Sequence, residues 1–258
     1  MILLKDSAWF AVKRGMSAKR LASGGWLICV FSVTMLAAAA SPSGVRHAST
    51  CLADGFSTAS SHGLFVRVGA FSNTVLLSTD GTHWACQNSG TPSSLYSIAF
   101  GNDRFVAVGN EGAIVISADG VAWKLLKSGT EERLRSIIFA RKMFVAVGYN
   151  GLVLTSRDGL GWKSRNSGTD DRLHGVVFGN DRFIAISKKG QILESRDGSK
   201  WTRLTALAGT FKAIAYANGR FTADSLEGVA FTSPDGVGWA ADFPMIASSD
   251  DRRDLRSR

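Results

Sequence analysis

Two carboxylates stand out in strand-like segments that are otherwise apolar. Asp224 occupies a place that is held elsewhere in the chain by Val108, Val147 and Ile186. Glu194 occupies one held by Ile116, Thr155 and Thr232. A carboxylate in a strand is costly unless it is paired or wet. Two of them could serve as a general acid and base on a glycosidic bond. The commoner role is a strand-end position leaning into solvent or into a wet central channel. Other ingredients of catalysis are missing. The four histidines, at 47, 62, 83 and 174, show no metal-ligand spacing. No Ser-His-Asp arrangement sits in a strand-turn-helix context, and no phosphate-cradling glycine loop precedes a helix. The expectation is a chain without catalytic residues, metal or cofactor.

A binding role has better candidates. Tyr96, Arg135, His174 and Lys212 recur at one place, the second position of a strand, and Tyr149, Lys188 and Lys189 stand in the hairpins beside them. Residues that differ at equivalent loop positions are where a repeated scaffold carries its specificity. These seven are therefore expected to line a binding surface. Arg104, Arg182 and Arg220 also recur at one position, and read as a turn-surface feature.

The elements that must position these residues come from a repeat. Ser-x-Asp-Gly-x-x-Trp occurs five times. The copies are Ser78, Asp80 and Trp84; Ser117, Asp119 and Trp123; Ser156, Asp158 and Trp162; Ser195, Asp197 and Trp201; and Ser233, Asp235 and Trp239. Consecutive aspartates lie 39, 39, 39 and 38 residues apart. Around each motif the pattern predicts four short strands. The first are Leu95–Phe100, Leu134–Phe139, Leu173–Phe178 and Phe211–Tyr216; the second are Phe105–Gly109, Phe144–Gly148, Phe183–Ser187 and Phe221–Ser225. A third strand such as Ala113–Ser117 and a fourth starting at Trp123 complete the unit. The first unit is degenerate, with Phe56–Ser61 a poor first strand. Four strands per repeat, stacked in series, predict an all-β fold. It is a β-propeller of about five blades over 55–244, with a β-solenoid as the alternative.

The motif resembles the Asp-box repeat of sialidase-like propellers and of exported photosystem II assembly factors. The stretches Gly112–Trp123 and Gly151–Trp162 carry the likeness. Here three residues separate Asp from Trp, one fewer than the commoner Asp-box. The resemblance implies a propeller. It offers two functions besides a plain binding module: a glycoside-processing enzyme, or an assembly factor of an envelope or photosynthetic complex. A motif present in every blade serves folding, since an active site is needed once. Its Ser and Asp can accept from backbone N–H groups of the turn, Gly tolerates positive φ, and Trp supplies packing surface.

Composition sets the compartment. The 258 residues carry a net charge of +9. Residues 1–40 read as an export signal. Lys13, Arg14, Lys19 and Arg20 precede the uncharged run from Trp26 to Ala40, and Ala38 and Ala40 mark a cleavage site. Met16 is a plausible alternative start. Removing the signal leaves 25 basic and 20 acidic residues, a net of +5. That is too mild for a nucleic-acid footprint. The expected chain is secreted or periplasmic, has no membrane span after cleavage, and binds a protein partner or a glycan. A linker over 41–54 and a disordered tail over 245–258 flank the repeats. Cys51 and Cys86 could pair in an oxidising compartment.

Overall fold

The computed structural model describes residues 57–69 and 73–242. The expected signal, linker and tail, with Cys51, lie outside them. The described chain is all β, apart from a short 3-10 turn at Asn110–Gly112, and forms a five-bladed β-propeller of four-stranded antiparallel sheets. Blade 1 comprises β1 (Ser57–Ser61), β2 (Leu64–Val68), β3 (Thr74–Ser78) and β4 (Ala85–Asn88). Blade 2 comprises β5 (Leu95–Gly101), β6 (Arg104–Gly109), β7 (Ile114–Ser117) and β8 (Lys124–Leu126). Blade 3 holds β9 (Leu134–Ala140), β10 (Met143–Gly148), β11 (Val153–Ser156) and β12 (Lys163–Arg165). Blade 4 holds β13 (Leu173–Gly179), β14 (Arg182–Ser187), β15 (Gln191–Ser195) and β16 (Thr202–Ala206). Blade 5 holds β17 (Phe211–Ala217), β18 (Arg220–Ser225), β19 (Ala230–Ser233) and β20 (Ala240–Asp242).

The weak first strand of blade 1 does form. Ser57–Ser61 pairs along its whole length with Leu64–Val68. His62 and Gly63, at φ of 49° and 78°, make the two-residue turn whose twist suits such a hairpin.

Alternation along the strands gives blades 2, 3 and 4 an apolar face on both sides. The forward face of one blade meets the rear face of the next. Four such junctions are present among the described residues. In the second of them, Val106, Val108 and Ile114 of blade 2 pack on Phe144, Ala146 and Leu154 of blade 3. The first strands pack on one another in series, β1 on β5, β5 on β9, β9 on β13 and β13 on β17. No junction of this kind joins blade 5 back to blade 1 among the described residues.

The repeated motif closes the turn between third and fourth strands. Ser156 Oγ accepts from Gly159 N at 2.9 Å and donates to Asp158 Oδ1 at 3.0 Å. The same serine-to-aspartate bond joins Ser78 to Asp80, Ser117 to Asp119, Ser195 to Asp197 and Ser233 to Asp235. Asp158 Oδ1 in turn accepts from the backbone of Leu160 and Gly161. Those backbone donors hold the Asp158 carboxyl below the usual carboxylate range.

The tryptophans belong to the turn and not to the strand that was expected to start on them. Each fourth strand begins one residue later, at Ala85, Lys124, Lys163, Thr202 and Ala240. The indole explains the shift. Nε1 of Trp123, Trp162, Trp201 and Trp239 donates to the carbonyl of its own motif glycine, at 2.7, 3.1, 3.0 and 3.0 Å. This bond folds the ring back over the turn. The packing expected of the tryptophans is consequently shared with solvent. Trp201 and Trp239 are half-buried, not core residues, as are Trp123 and Trp162. The ring of Trp201 packs at the edge of the junction between blades 3 and 4, 6.5 Å from Phe183. That of Trp239 does the same between blades 4 and 5, 6.4 Å from Phe221. Blade 1 departs from this. No preceding blade packs on Trp84 among the described residues, and the Arg67 guanidinium lies 3.8 Å from its ring centroid.

Candidate functional site

Antiparallel topology divides the loops between two ends of the blades. The motif turns share one end with the loops between first and second strands. The second-to-third hairpins and the blade-to-blade connections share the other. Tyr96, Arg135 and His174 stand at the start of β5, β9 and β13, so the packing of these strands brings them to that second end side by side. Tyr149 and Lys188 follow β10 and β14 and reach the same end.

There they form an aromatic–cation cluster centred on blade 3. The Arg135 guanidinium carbon lies 4.6 Å from the Tyr96 ring centroid. Arg133 lies 5.5 Å from Tyr96 and 5.0 Å from Tyr149, and Arg172 lies 3.9 Å from Tyr149. Arg133 Nη1 also donates to the Tyr149 hydroxyl at 3.1 Å. Tyr96 donates to Asn110 Oδ1 at 2.9 Å, which fixes its ring. Burial lowers the pKa of Arg135, and the charges of Arg133 and Arg172 push the same way; Tyr149 and Tyr96 oppose them. Like charges are thus gathered around a half-buried guanidinium.

Carboxylates lie nearby in sequence but are committed elsewhere. Glu132 Oε1 accepts from Asn150, and Asp171 accepts from Ser187 Oγ and from the Arg172 backbone. No ion pair joins a carboxylate to Arg133, Arg135, Arg172 or Lys188 among the described residues. The cluster is a surface patch. An open groove of about 790 Å³ lies to its side, but Glu111, Glu131 and Glu132 line it and give it the opposite charge character.

His174 completes the cluster as a neutral ring. Burial brings its pKa down to about 4, with Arg135, Arg172 and Lys188 adding repulsion, and its Nδ1 is buried without a hydrogen-bond partner among the described residues. A histidine held below its unfolded value of 6.5 binds its proton more readily in the unfolded chain. Its contribution to stability is therefore complete above pH 6.5 and is lost as pH falls toward 4. We expect this loss to be about 1–2 kcal/mol after solvent screening of the ring. His174→Gln is expected to flatten that segment of the stability–pH curve, measured by urea unfolding. An unchanged slope would show that His174 does not govern it.

The seven expected residues do not all converge. Lys189 and Lys212 are exposed and make none of the cluster's ring contacts or hydrogen bonds. Arg133 and Arg172 do belong to it and are not singled out by sequence, although they end two acidic connections 39 residues apart. The two strand carboxylates stay apart. Glu194 pairs with Arg182 at 2.9 Å on the face of blade 4 toward blade 5, whereas Asp224 stands on the forward face of blade 5. Tyr216, on the other end, packs its ring on Phe221 and donates to Asn180. Cys86 is disulfide-bonded; its expected partner, Cys51, lies outside the described residues. No group of metal-ligating side chains occurs among the described residues.

No family model matches the chain, and no curated protein matches it. Solved structures do. A YCF48 chain bound to a D1 peptide superposes with a TM-score of 0.56 at 24% identity, over 73% of this chain and 66% of that one. YCF48 from Cyanidioschyzon merolae gives 0.52 at 17%, over 72% and 70%. Virginiamycin B lyase from Staphylococcus aureus gives 0.65 at 14%, over 73% and 69%. The chain spans less than two thirds of that peptide-bound YCF48 and 62% of the computationally designed protein Ika8. At these identities the likeness concerns the fold. The chain is a β-propeller, similar in architecture to YCF48 and to virginiamycin B lyase.

Proposed function

We propose that the chain is an exported, non-catalytic binding or assembly module of the cell envelope, whose Tyr–Arg face takes a carboxylate-bearing segment of a protein partner. The observation that carries this reading is the set of cations gathered without a paired carboxylate among the described residues: Arg133, Arg135 and Arg172 against the rings of Tyr96 and Tyr149, with Lys188 beside His174. Guanidinium groups held in fixed orientation match carboxylates in geometry as well as charge. Stacking on tyrosine orients each fork before the ligand arrives, which lowers the ordering cost of binding. The peptide held by YCF48 gives this reading support by analogy of fold.

The test uses defined probes. Labelled acidic, neutral and basic peptides of equal length are titrated with purified protein, and binding is read by fluorescence polarisation. Only the acidic peptide is expected to bind, more weakly as salt rises. Arg133→Glu with Arg172→Glu is expected to weaken it about 100-fold, since both charges are removed and reversed at the centre of the patch. Equal affinity for all three peptides, or an unaffected double variant, would sink the proposal. Fractionation of a tagged full chain tests the location separately; a chain retained in the cytoplasm contradicts export.

A further inference from the structure

The Tyr–Arg cluster has a sharp border on the side of blade 2. At two points the chain passes from the cluster into the open groove within a single residue. Asn110 accepts from the Tyr96 hydroxyl at 2.9 Å, and Glu111, next to it in the chain, lines the groove. Arg133 lies against both tyrosine rings, and Glu132, just before it, lines the groove. Consecutive Cα atoms are about 3.8 Å apart. The two sites therefore adjoin, and the charge changes sign from one to the other.

The groove's carboxylates are held by neutral donors where they are held at all. Glu111 Oε2 accepts from Ser93 Oγ at 3.0 Å, and Glu132 Oε1 accepts from Asn150 Nδ2 at 2.7 Å. Glu131 is exposed. None of the three forms an ion pair among the described residues, and Lys127, which also lines the groove, forms none either. The carboxylates do not gather into a metal-ligating group. The lining has an apolar part as well. Leu125, on the edge strand β8, is 48% exposed, and Leu126 and Pro92 line the groove with it. An exposed leucine among carboxylates fits a ligand side chain that is apolar along its stem and cationic at its tip, as lysine and arginine are. At about 790 Å³ the groove has ample room for one.

We propose that this groove takes a lysine or arginine of the same partner segment whose carboxylate meets the Tyr–Arg face. The inference rests on the carboxylate-binding reading and deepens it, by giving the partner a charge pattern. The stem of the basic side chain packs on Leu125 and Leu126, and its charged end meets Glu111 and Glu131. The acid and the base stand close together in the partner, because the two sites adjoin. Residues two apart in an extended segment point the same way and lie about 7 Å from each other, which matches a border crossed within one residue. Selectivity follows from repulsion as well as attraction. A base without the acid meets the guanidinium groups, and a second acid in place of the base meets the glutamates.

The test uses protein purified after expression of the full chain and three labelled peptides of equal length, read by fluorescence polarisation. The first carries one aspartate in a neutral sequence. The second adds a lysine two residues from the aspartate, and the third places that lysine at the far end. The second peptide is expected to bind about tenfold more tightly than the other two, since the anchored aspartate presents the lysine to the groove at high effective concentration. Glu111→Gln with Glu131→Gln, both exposed positions, is expected to remove this gain and to tighten the aspartate-only peptide about twofold, by taking away repulsion. Circular dichroism confirms that the variant is folded. Equal affinity for the second and third peptides overturns the proposal, and so does a gain that the double variant keeps. In both cases the aspartate-only peptide still binds, and the Tyr–Arg reading stands. Failure of all three peptides to bind overturns both.

Discussion

Phe144→Ala is expected to destabilise the propeller by about 3–5 kcal/mol, with a fall in Tm of roughly 10 °C. Phe144 is fully buried at the junction between blades 2 and 3. Its ring centroid lies 4.6 Å from Phe139 and 6.3 Å from Trp162, so truncation removes contacts on both sides. A stack of repeats draws its stability from intrinsic and nearest-neighbour terms, and this substitution acts on both. The same residue type at the same repeat position in blade 1 makes the comparison decisive. Phe65 is only partly buried, and among the described residues no blade packs on that rear face. Phe65→Ala is expected to cost less than half as much, measured by urea unfolding at low protein concentration. Equal losses for the two would mean that the rear face of blade 1 is covered as fully as the internal ones.

Much of this arrangement is legible in the chain itself. The spacing of the Ser-Asp-Gly-Trp motif and the apolar alternation around it give blade number, strand order and the structural role of the motif. Local chemistry suffices there, since each turn is closed by residues two or three positions apart. The tryptophans show where local reading stops. An aromatic residue at a strand boundary suits either side of it, and only the indole bond to Gly198 or Gly236 puts Trp201 or Trp239 in the turn. Strand starts also show which residues sit at one end, hence the convergence of Tyr96, Arg135 and His174. Arg133 and Arg172 are harder. They belong to connections whose neighbours are acidic, and only the backbone path shows that Glu132 and Asp171 turn to Asn150 and Ser187. Lys212 fails to join for a related reason. It belongs to blade 5, beyond His174, and no aromatic ring stands at the equivalent hairpin to hold it. No fifth junction forms among the described residues, and one sign of this stands in the sequence, Asp224 breaking an apolar pattern.

The second large effect ties the fold to the site through one glycine. Gly151 adopts φ of +62° directly after Tyr149 and Asn150, and its N–H donates to Asp171 O at 2.9 Å. A Cβ there would stand 1.8 Å from the carbonyl oxygen of Thr169, which is backbone and cannot swing aside. Gly112 repeats the arrangement in the preceding blade, against Thr130 O at 2.0 Å. Gly151→Ala therefore combines left-handed strain with a forced displacement of the connection Thr169–Arg172. We expect a loss on the order of 3 kcal/mol or more. In the folded fraction, acidic-peptide binding should fall about tenfold, because the shifted segment carries Arg172 away from the Tyr149 ring. Gly161→Ala supplies the contrast. A Cβ at Gly161 meets nothing within 4 Å, so that change should stay within about 0.5 kcal/mol and leave binding intact. If Gly151→Ala behaved like Gly161→Ala in both unfolding and peptide titration, the connection would not be seated on the glycine, and Arg172 would owe its position to some other contact.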